Sequence, residues 1–118
     1  MFRVISRRVT WIAFFLSLVA VYTTEAQVES LTTRQLKERA VERFESEQYS
    51  EALSDFRLLM NEYPGDPLYR YYTGICLTEL NQDLEQAAEM LYFASRRDVP
   101  TDVYYHLAEA HRRMYDFR

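Results

Sequence analysis

Apolar side chains recur at helical spacing along the chain after residue 32, and short polar turns divide them into five segments. In the first segment Leu36, Ala40 and Phe44 stand at positions i, i+4 and i+8. Two glycines and three prolines leave few residues for loops, and β-branched residues cluster mainly near the N-terminus. The pattern predicts an all-α fold, with helices at about 32–46, 50–63, 67–80, 84–97 and 102–115.

A 34-residue period links small residues in the first, third and fifth segments. Gly74 lies inside an apolar helical segment, where glycine costs about 1 kcal/mol relative to alanine and usually marks a close contact. Ala40 precedes it by 34 residues and Ala108 follows it by 34. Small residues at a fixed period indicate a repeat protein, whose helix hairpins each need a neighbour to bury their apolar face.

This spacing resembles the tetratricopeptide repeat, which has a small residue in helix A, an aromatic residue opening helix B, then Ala-x3-Phe and a closing Pro. The first repeat matches through Ala40, Tyr49, Ala52, Phe56 and Pro64, and the second through Gly74, Leu84, Ala87, Leu91, Ala94 and Pro100. The resemblance implies antiparallel helix-turn-helix repeats in a short right-handed α-solenoid. The repeats are 33–66, 67–100 and, as helix A alone, 101–118.

The third repeat has no second helix to explain the small size of Ala108. Three interpretations are open: the fifth helix is itself a terminal cap, the sequence is the N-terminal piece of a longer protein, or the exposed flank pairs with another copy. A natural cap presents a polar outer face. The fifth helix instead has apolar, aromatic and histidine residues around two sides, which favours the fragment interpretation.

Residues 1–26 read as a secretory signal peptide, followed by a short linker at 27–32. Arg3, Arg7 and Arg8 give a positive start, Val9 to Tyr22 is apolar, and Ala26 ends a small-residue cleavage site. The alternative is an uncleaved membrane anchor, but 14 apolar residues fall short of the roughly 20 that span a bilayer.

The order of signal and repeats also resembles the N-terminal region of exported bacterial envelope proteins that carry a peptidoglycan-binding (OmpA-like) domain. That resemblance implies the periplasm or cell envelope of a Gram-negative bacterium, with the membrane met only during export.

Charge and composition argue against several functions. Without residues 1–26 the chain has 11 basic and 17 acidic residues, a formal charge of −6, and an acidic domain is a poor nucleic-acid binder.

No motif predicts a catalytic site, a metal site or a small-molecule cofactor. His106 and His111 are five apart and do not form an i, i+4 metal pair. Cys76 is the only cysteine and is expected to be buried and inert.

Two further interpretations concern the surface. Glu42, Glu45, Glu47 and Glu51 are expected to form a solvated acidic face. His111 is expected on the apolar stripe of the fifth helix, together with Tyr104, Leu107 and Ala108, whereas His106 and Glu109 are expected on a solvated face.

In the tetratricopeptide family, helix A residues line a concave groove that binds a protein segment. The resemblance assigns the partner-binding positions to Arg34, Lys37, Phe44, Tyr71, Thr78, Tyr105, Glu109 and Arg112. Tyrosine and arginine often dominate interface energies. The alternative for Tyr71 and Tyr105 is packing between repeats. Some relatives clamp a peptide carboxylate with Lys and Asn, but Val41, Ile75 and Glu109 stand where Asn is needed.

These observations favour a non-enzymatic protein-interaction scaffold or adaptor. The first alternative is a structural subunit that self-assembles through the exposed helix of the third repeat. The second is a regulatory N-terminal domain of a larger envelope protein.

Overall fold

The computed structural model describes residues 31–116, and these residues form helices joined by short turns, without a strand. The predicted signal peptide and nearly all of the predicted linker lie outside the described residues. Each observed helix boundary lies within two residues of its predicted position. The helices are α1 (Thr33–Glu45), α2 (Tyr49–Glu62), α3 (Pro67–Glu79), α4 (Leu84–Ser95) and α5 (Val103–Asp116).

The five helices pack in sequential order. Each helix contacts the next one along the chain, and α3 also contacts α5. Side chains of α1 and α3 meet where the rings of Phe44 and Tyr72 lie 4.9 Å apart, edge to face. The Tyr72 ring also stacks on Phe56 of α2 at 4.6 Å. Two hydrophobic clusters result, one centred on α1 to α3 and the other on α3 to α5.

The backbone repeats its geometry with the 34-residue period. α1 and α3 have equal lengths and begin 34 residues apart. After α1, Glu47 adopts a left-handed φ of 61°, and after α3 Asn81 adopts a φ of 52°. Gln48 N–H donates to the Arg43 carbonyl, and Gln82 N–H donates to the Leu77 carbonyl, each across five residues. Both turns are therefore Schellman-type helix ends at corresponding positions.

Gly74 marks a close approach of α3 and α4. A Cβ built on Gly74 would lie 2.7 Å from Leu91 Cγ and 3.2 Å from the Ala87 carbonyl oxygen. Carbon atoms in ordinary contact stay about 3.5 Å or more apart, so α4 has no room for a side chain here. The predicted reason for the glycine is confirmed. The sequence of Asp66 and Pro67 predicts the start of α3, since aspartate is a favourable N-cap residue and proline a favourable first helical residue. This prediction is confirmed, because Asp66 Oδ1 accepts from Leu68 N–H at 2.9 Å and Pro67 begins the helix.

The apolar stripe predicted for α5 lies mostly on its open side, and a different side of the helix is buried. Val103 and Ala110 are buried, whereas Ala108 and His111 are exposed and Tyr104 is 62% exposed. α3 and α4 contact α5 from one side only, so the helix turns its Val103–Ala110 face inward. Ala108, the third small residue of the 34-residue series, therefore lies on the open side of α5.

A buried carboxylate joins α1 to α2, and the sequence reasoning missed it. Asp55 is 2% exposed. Its two oxygens accept from Arg39 at 2.7 and 3.1 Å and from Arg43 at 3.0 Å. A buried charge requires such partners, because its desolvation penalty is large. The signal was an acidic residue inside an apolar stripe, facing two arginines spaced i, i+4.

Candidate protein-interaction surface

Tyr71 lies between α3 and α5 and is 4% exposed. Its hydroxyl donates to Asp102 Oδ1 at 2.7 Å, and its ring meets His106 edge to face at 6.3 Å. Burial and the adjacent Asp102 carboxylate raise the pKa of Tyr71. This tyrosine packs between helices and presents almost no surface to a partner. His106 is only 18% exposed at its side chain, so the expectation of a solvated face was wrong for it.

Thr78 is also in the interior, near the C-terminal end of α3. It is fully buried, and its hydroxyl donates to the Gly74 carbonyl at 2.8 Å. Arg113 of α5 donates to the Thr78 carbonyl at 2.7 Å and to Asn81 Oδ1 at 3.2 Å. A cation at the last carbonyls of a helix is favourable, because the helix dipole is negative there. Arg113 therefore fixes α5 against the end of α3.

Three of the predicted groove residues share an outer side of α5. Tyr105 is 66% exposed. Arg112 donates to Glu109 at 2.6 and 3.0 Å, and Arg113 donates to Glu109 at 2.8 Å. These two guanidinium groups lower the pKa of Glu109 to about 2. Glu109 was expected on a solvated face, but its side chain is 16% exposed beneath these two arginines.

The predicted groove residues of α1 differ in exposure. Arg34 and Lys37 are exposed, and Arg34 pairs with Glu38 one turn away at 3.1 Å. Phe44 is half-buried against Tyr49 and Tyr72. The accessible part of the predicted groove therefore consists of Arg34 and Lys37 on α1 together with Tyr105 and Arg112 on α5, whereas the Glu109 side chain is only 16% exposed.

A second candidate surface, named here the α4–α5 face, is uncharged along α5. Its α5 residues follow a helical stripe, and Tyr104 attaches the helix to α4 by donating to the Ser95 carbonyl at 3.0 Å. A cavity of about 420 Å³ opens between the two helices. The exposed members of the face are Tyr92, Tyr104, Ala108, His111 and Tyr115.

A third surface, the basic cleft, lies between the end of α2, the start of α3 and α4. It has a volume of about 890 Å³, and its lining includes Met60, Arg70, Glu89, Met90, Tyr92, Phe93, Arg96 and Arg97. The guanidinium carbons of Arg70 and Arg97 lie over the Phe93 ring, 4.0 and 3.4 Å from its centre. Sequence reasoning missed this cleft. Its signal is Arg70, which occupies the position of apolar Leu36 one period earlier.

Cys76 is fully buried within the described domain, as predicted. Burial raises the pKa of its thiol to about 12. A thiol rather than a thiolate at neutral pH is a poor nucleophile, so the environment suits a packing role. The exposed acidic residues Glu42, Glu45, Glu47 and Glu51 agree with the expected solvated face.

Residues 31–116 contain no group of three or more histidine, cysteine, aspartate or glutamate side chains placed to bind a metal ion. None of the helices in this described part is long and apolar enough to cross a membrane. Comparisons with known protein families, with curated proteins and with solved structures yield no match to this chain.

Proposed function

We propose that this chain is a non-catalytic protein-interaction module of the tetratricopeptide type, exported to the envelope of a Gram-negative bacterium. It binds a protein segment along the surface that α1, α3 and α5 contribute. The proposal includes a right-handed solenoid arrangement and a cleaved signal peptide.

The observation that supports the repeat assignment is the recurrence of local geometry at the 34-residue period. The left-handed residues Glu47 and Asn81 are 34 apart, and so are their hydrogen-bonded partners. The contact of Gly74 with Leu91 and Ala87 matches the close crossing that the family's small helix A residue serves.

The accessible anchors for a partner are Tyr105 and Arg112 on α5, with Arg34 and Lys37 on α1. Tyr105 has a large exposed ring, and Arg112 is 59% exposed at its side chain. Aromatic rings and guanidinium groups combine wide contact area with directional donors. Tyr71 and Thr78 support this surface from below, since Tyr71 fixes the spacing of α3 and α5 through Asp102.

Site-directed photo-crosslinking in the cells that naturally produce the protein tests the groove. A photoreactive amino acid replaces Tyr105 in one variant and Leu58, an exposed residue of α2, in the control. We expect a covalent adduct with another protein at position 105, absent at position 58 and lost when Arg112→Glu is added. Equal adducts at both positions, or none at 105, would remove the groove from consideration.

A second candidate function is self-assembly through the α4–α5 face. Ala108 stands where Gly74 stands one period earlier, yet Gly74 is covered by α4 and Ala108 is exposed. Three of the seven exposed large apolar or aromatic side chains among the described residues, Tyr92, Tyr104 and Tyr115, belong to this face. Exposed apolar groups that gather in one place mark interaction sites.

Light scattering of the purified protein distinguishes this candidate from the groove. Self-assembly predicts a concentration-dependent dimer or larger species that Ala108→Arg converts to a monomer, because a charge would be buried in the contact. The control is Leu58→Arg on α2, which leaves the mass unchanged. At a protein concentration of about 100 μM, even a dimer with a dissociation constant of about 100 μM would be substantially populated. A monomer at that concentration therefore argues against assembly.

A further inference from the structure

The basic cleft carries an inference beyond the proposed groove and beyond self-assembly. We propose that it is a second binding site, for an acidic peptide segment of a partner protein that also carries an apolar side chain. It lies between the end of α2, the start of α3 and α4, and none of its lining residues is among the residues assigned to the proposed groove.

Unpaired positive charge distinguishes this cleft from the rest of the described domain. Arg34, Arg39, Arg43, Arg112 and Arg113 all form ion pairs with carboxylates. Across residues 31–116, the arginines without an ion pair are Arg57 and the three that line the cleft, namely Arg70, Arg96 and Arg97. Three arginines face a single acidic residue there, Glu89. A net positive cleft in an acidic domain attracts carboxylates and holds them by bidentate pairs.

The guanidinium groups are held in place before any ligand arrives. Phe93 supports Arg70 and Arg97 through cation–π contacts. Arg96 donates to the Tyr92 hydroxyl at 3.1 Å, and Arg97 donates to the Phe93 carbonyl at 2.7 Å. A fixed side chain loses less conformational entropy on binding, which raises affinity.

Most of the donors in the cleft remain available. A guanidinium group has five N–H donors, and Arg70 uses one of them, in a long contact of 3.4 Å from Nη2 to the Pro64 carbonyl. Its buried Nε has no hydrogen-bond partner within the described part of the chain. A buried donor without a partner costs free energy, so the contacts of Arg70 within the domain leave its hydrogen-bonding capacity largely unused.

The apolar part of the lining selects a peptide rather than a nucleic acid. Met60 and Met90 adjoin Phe93 and Tyr92 in the cleft, and methionine adapts to irregular apolar side chains. Nucleic acid would bring a long run of phosphates toward a domain of net negative charge, which opposes binding. A short segment with two or three carboxylates and one aromatic or aliphatic residue matches both the charge and the lining.

Fluorescence anisotropy with the purified protein tests this site. The probe is a labelled peptide of sequence Glu-Glu-Phe-Glu-Glu, and the control probe replaces each Glu with Gln. We expect the acidic probe to bind at least about tenfold more tightly than the control probe, and its affinity to fall as salt rises. The double variant Arg70→Gln/Arg97→Gln should weaken binding by at least about tenfold.

Two further variants separate the site from nonspecific attraction and from loss of structure. Arg57→Gln removes one positive charge outside the cleft, as Arg96→Gln does inside it, and should change affinity for the acidic probe by less than about twofold. Arg96→Gln changes an exposed side chain, so it should lower affinity while leaving the unfolding temperature unchanged. Equal binding of both probes, equal loss in Arg57→Gln, or tighter binding of a single-stranded oligonucleotide would each overturn the proposal. Arg112→Glu, which tests the proposed groove, should leave this affinity unchanged.

Discussion

The glycine inside α3 allows the sharpest test of the packing. Gly74→Ala would place a Cβ 2.7 Å from Leu91 Cγ and 3.0 Å from Leu91 Cδ2. Ordinary contact needs about 3.5 Å, so α3 and α4 must separate by several tenths of an ångström or Leu91 must leave its rotamer. Overpacking of this kind costs about 1–3 kcal/mol. The Leu91 branch atom is buried and is not a free chain end, so the cost falls within that range.

Helix propensity acts in the opposite direction. Alanine inside a helix is about 1 kcal/mol more favourable than glycine. The net expectation is a loss of about 0–2 kcal/mol in the free energy of unfolding. For a domain of this size a loss at the upper end of that range lowers the unfolding temperature by roughly 8–16 °C. Urea denaturation followed by circular dichroism measures the free energy, and a thermal scan measures the temperature.

A double-mutant cycle isolates the contact. Leu91→Ala alone costs about 2–5 kcal/mol, but it removes the atoms that a Cβ on residue 74 would meet. In that background Gly74→Ala should become neutral or stabilising by up to about 1 kcal/mol. Gly65→Ala is the matched control, because its Cβ would meet nothing within 4 Å. The reasoning is refuted if Gly74→Ala stabilises the unaltered protein, or if it has the same effect in both backgrounds.

Two other predictions follow from buried ionisable groups. Asp55→Asn should lower the free energy of unfolding by about 2–4 kcal/mol, because it leaves Arg39 and Arg43 without their shared anion. The control is Glu38→Gln, an exposed substitution that should lower the free energy of unfolding by less than about 0.5 kcal/mol. Equal losses for the two variants in urea denaturation would contradict this prediction. Because the folded-state pKa of Cys76 is raised from 9.0 to about 12, its contribution to stability is complete below pH 9 and declines as pH rises toward 12. Cys76→Ala should reduce the loss of stability at alkaline pH. A thiol reagent at pH 8 should label the native protein far more slowly than the unfolded protein. Rapid labelling of the native protein would show that the thiol is accessible.

Local signals in the sequence predicted the helices and the crossing at Gly74. Helical spacing of apolar residues identified five helices, and Asp66 with Pro67 marked the start of α3. These features depend on neighbours within a turn or two of the chain. The 34-residue period also located Gly74, because close crossing requires a residue without a side chain.

Features that depend on distant partners could not be predicted in the same way. A period gives the position of a residue within its repeat, but it does not say which helix covers that residue. His111 was expected on the apolar stripe of α5, but Val103 and Ala110 are the buried residues there and His111 is exposed. Asp55 and Arg70 are polar residues in apolar stripes, and their roles became visible only with the arginines of α1 and the Phe93 ring of α4.

The sequential order of packing also has a consequence for how the domain folds. Tertiary contacts join residues that are close along the chain: Tyr71 reaches Asp102 and Arg113 reaches Thr78, across 31 and 35 positions. Loops of this length close with little entropy loss, and domains rich in such contacts fold on a scale of roughly microseconds to milliseconds. Within the described domain the main contacts of α5 are with α4 and α3, and those of α1 are with α2. Each end helix can therefore open while the central helices stay packed, and the amides of α1 and α5 should exchange with solvent before those of α3.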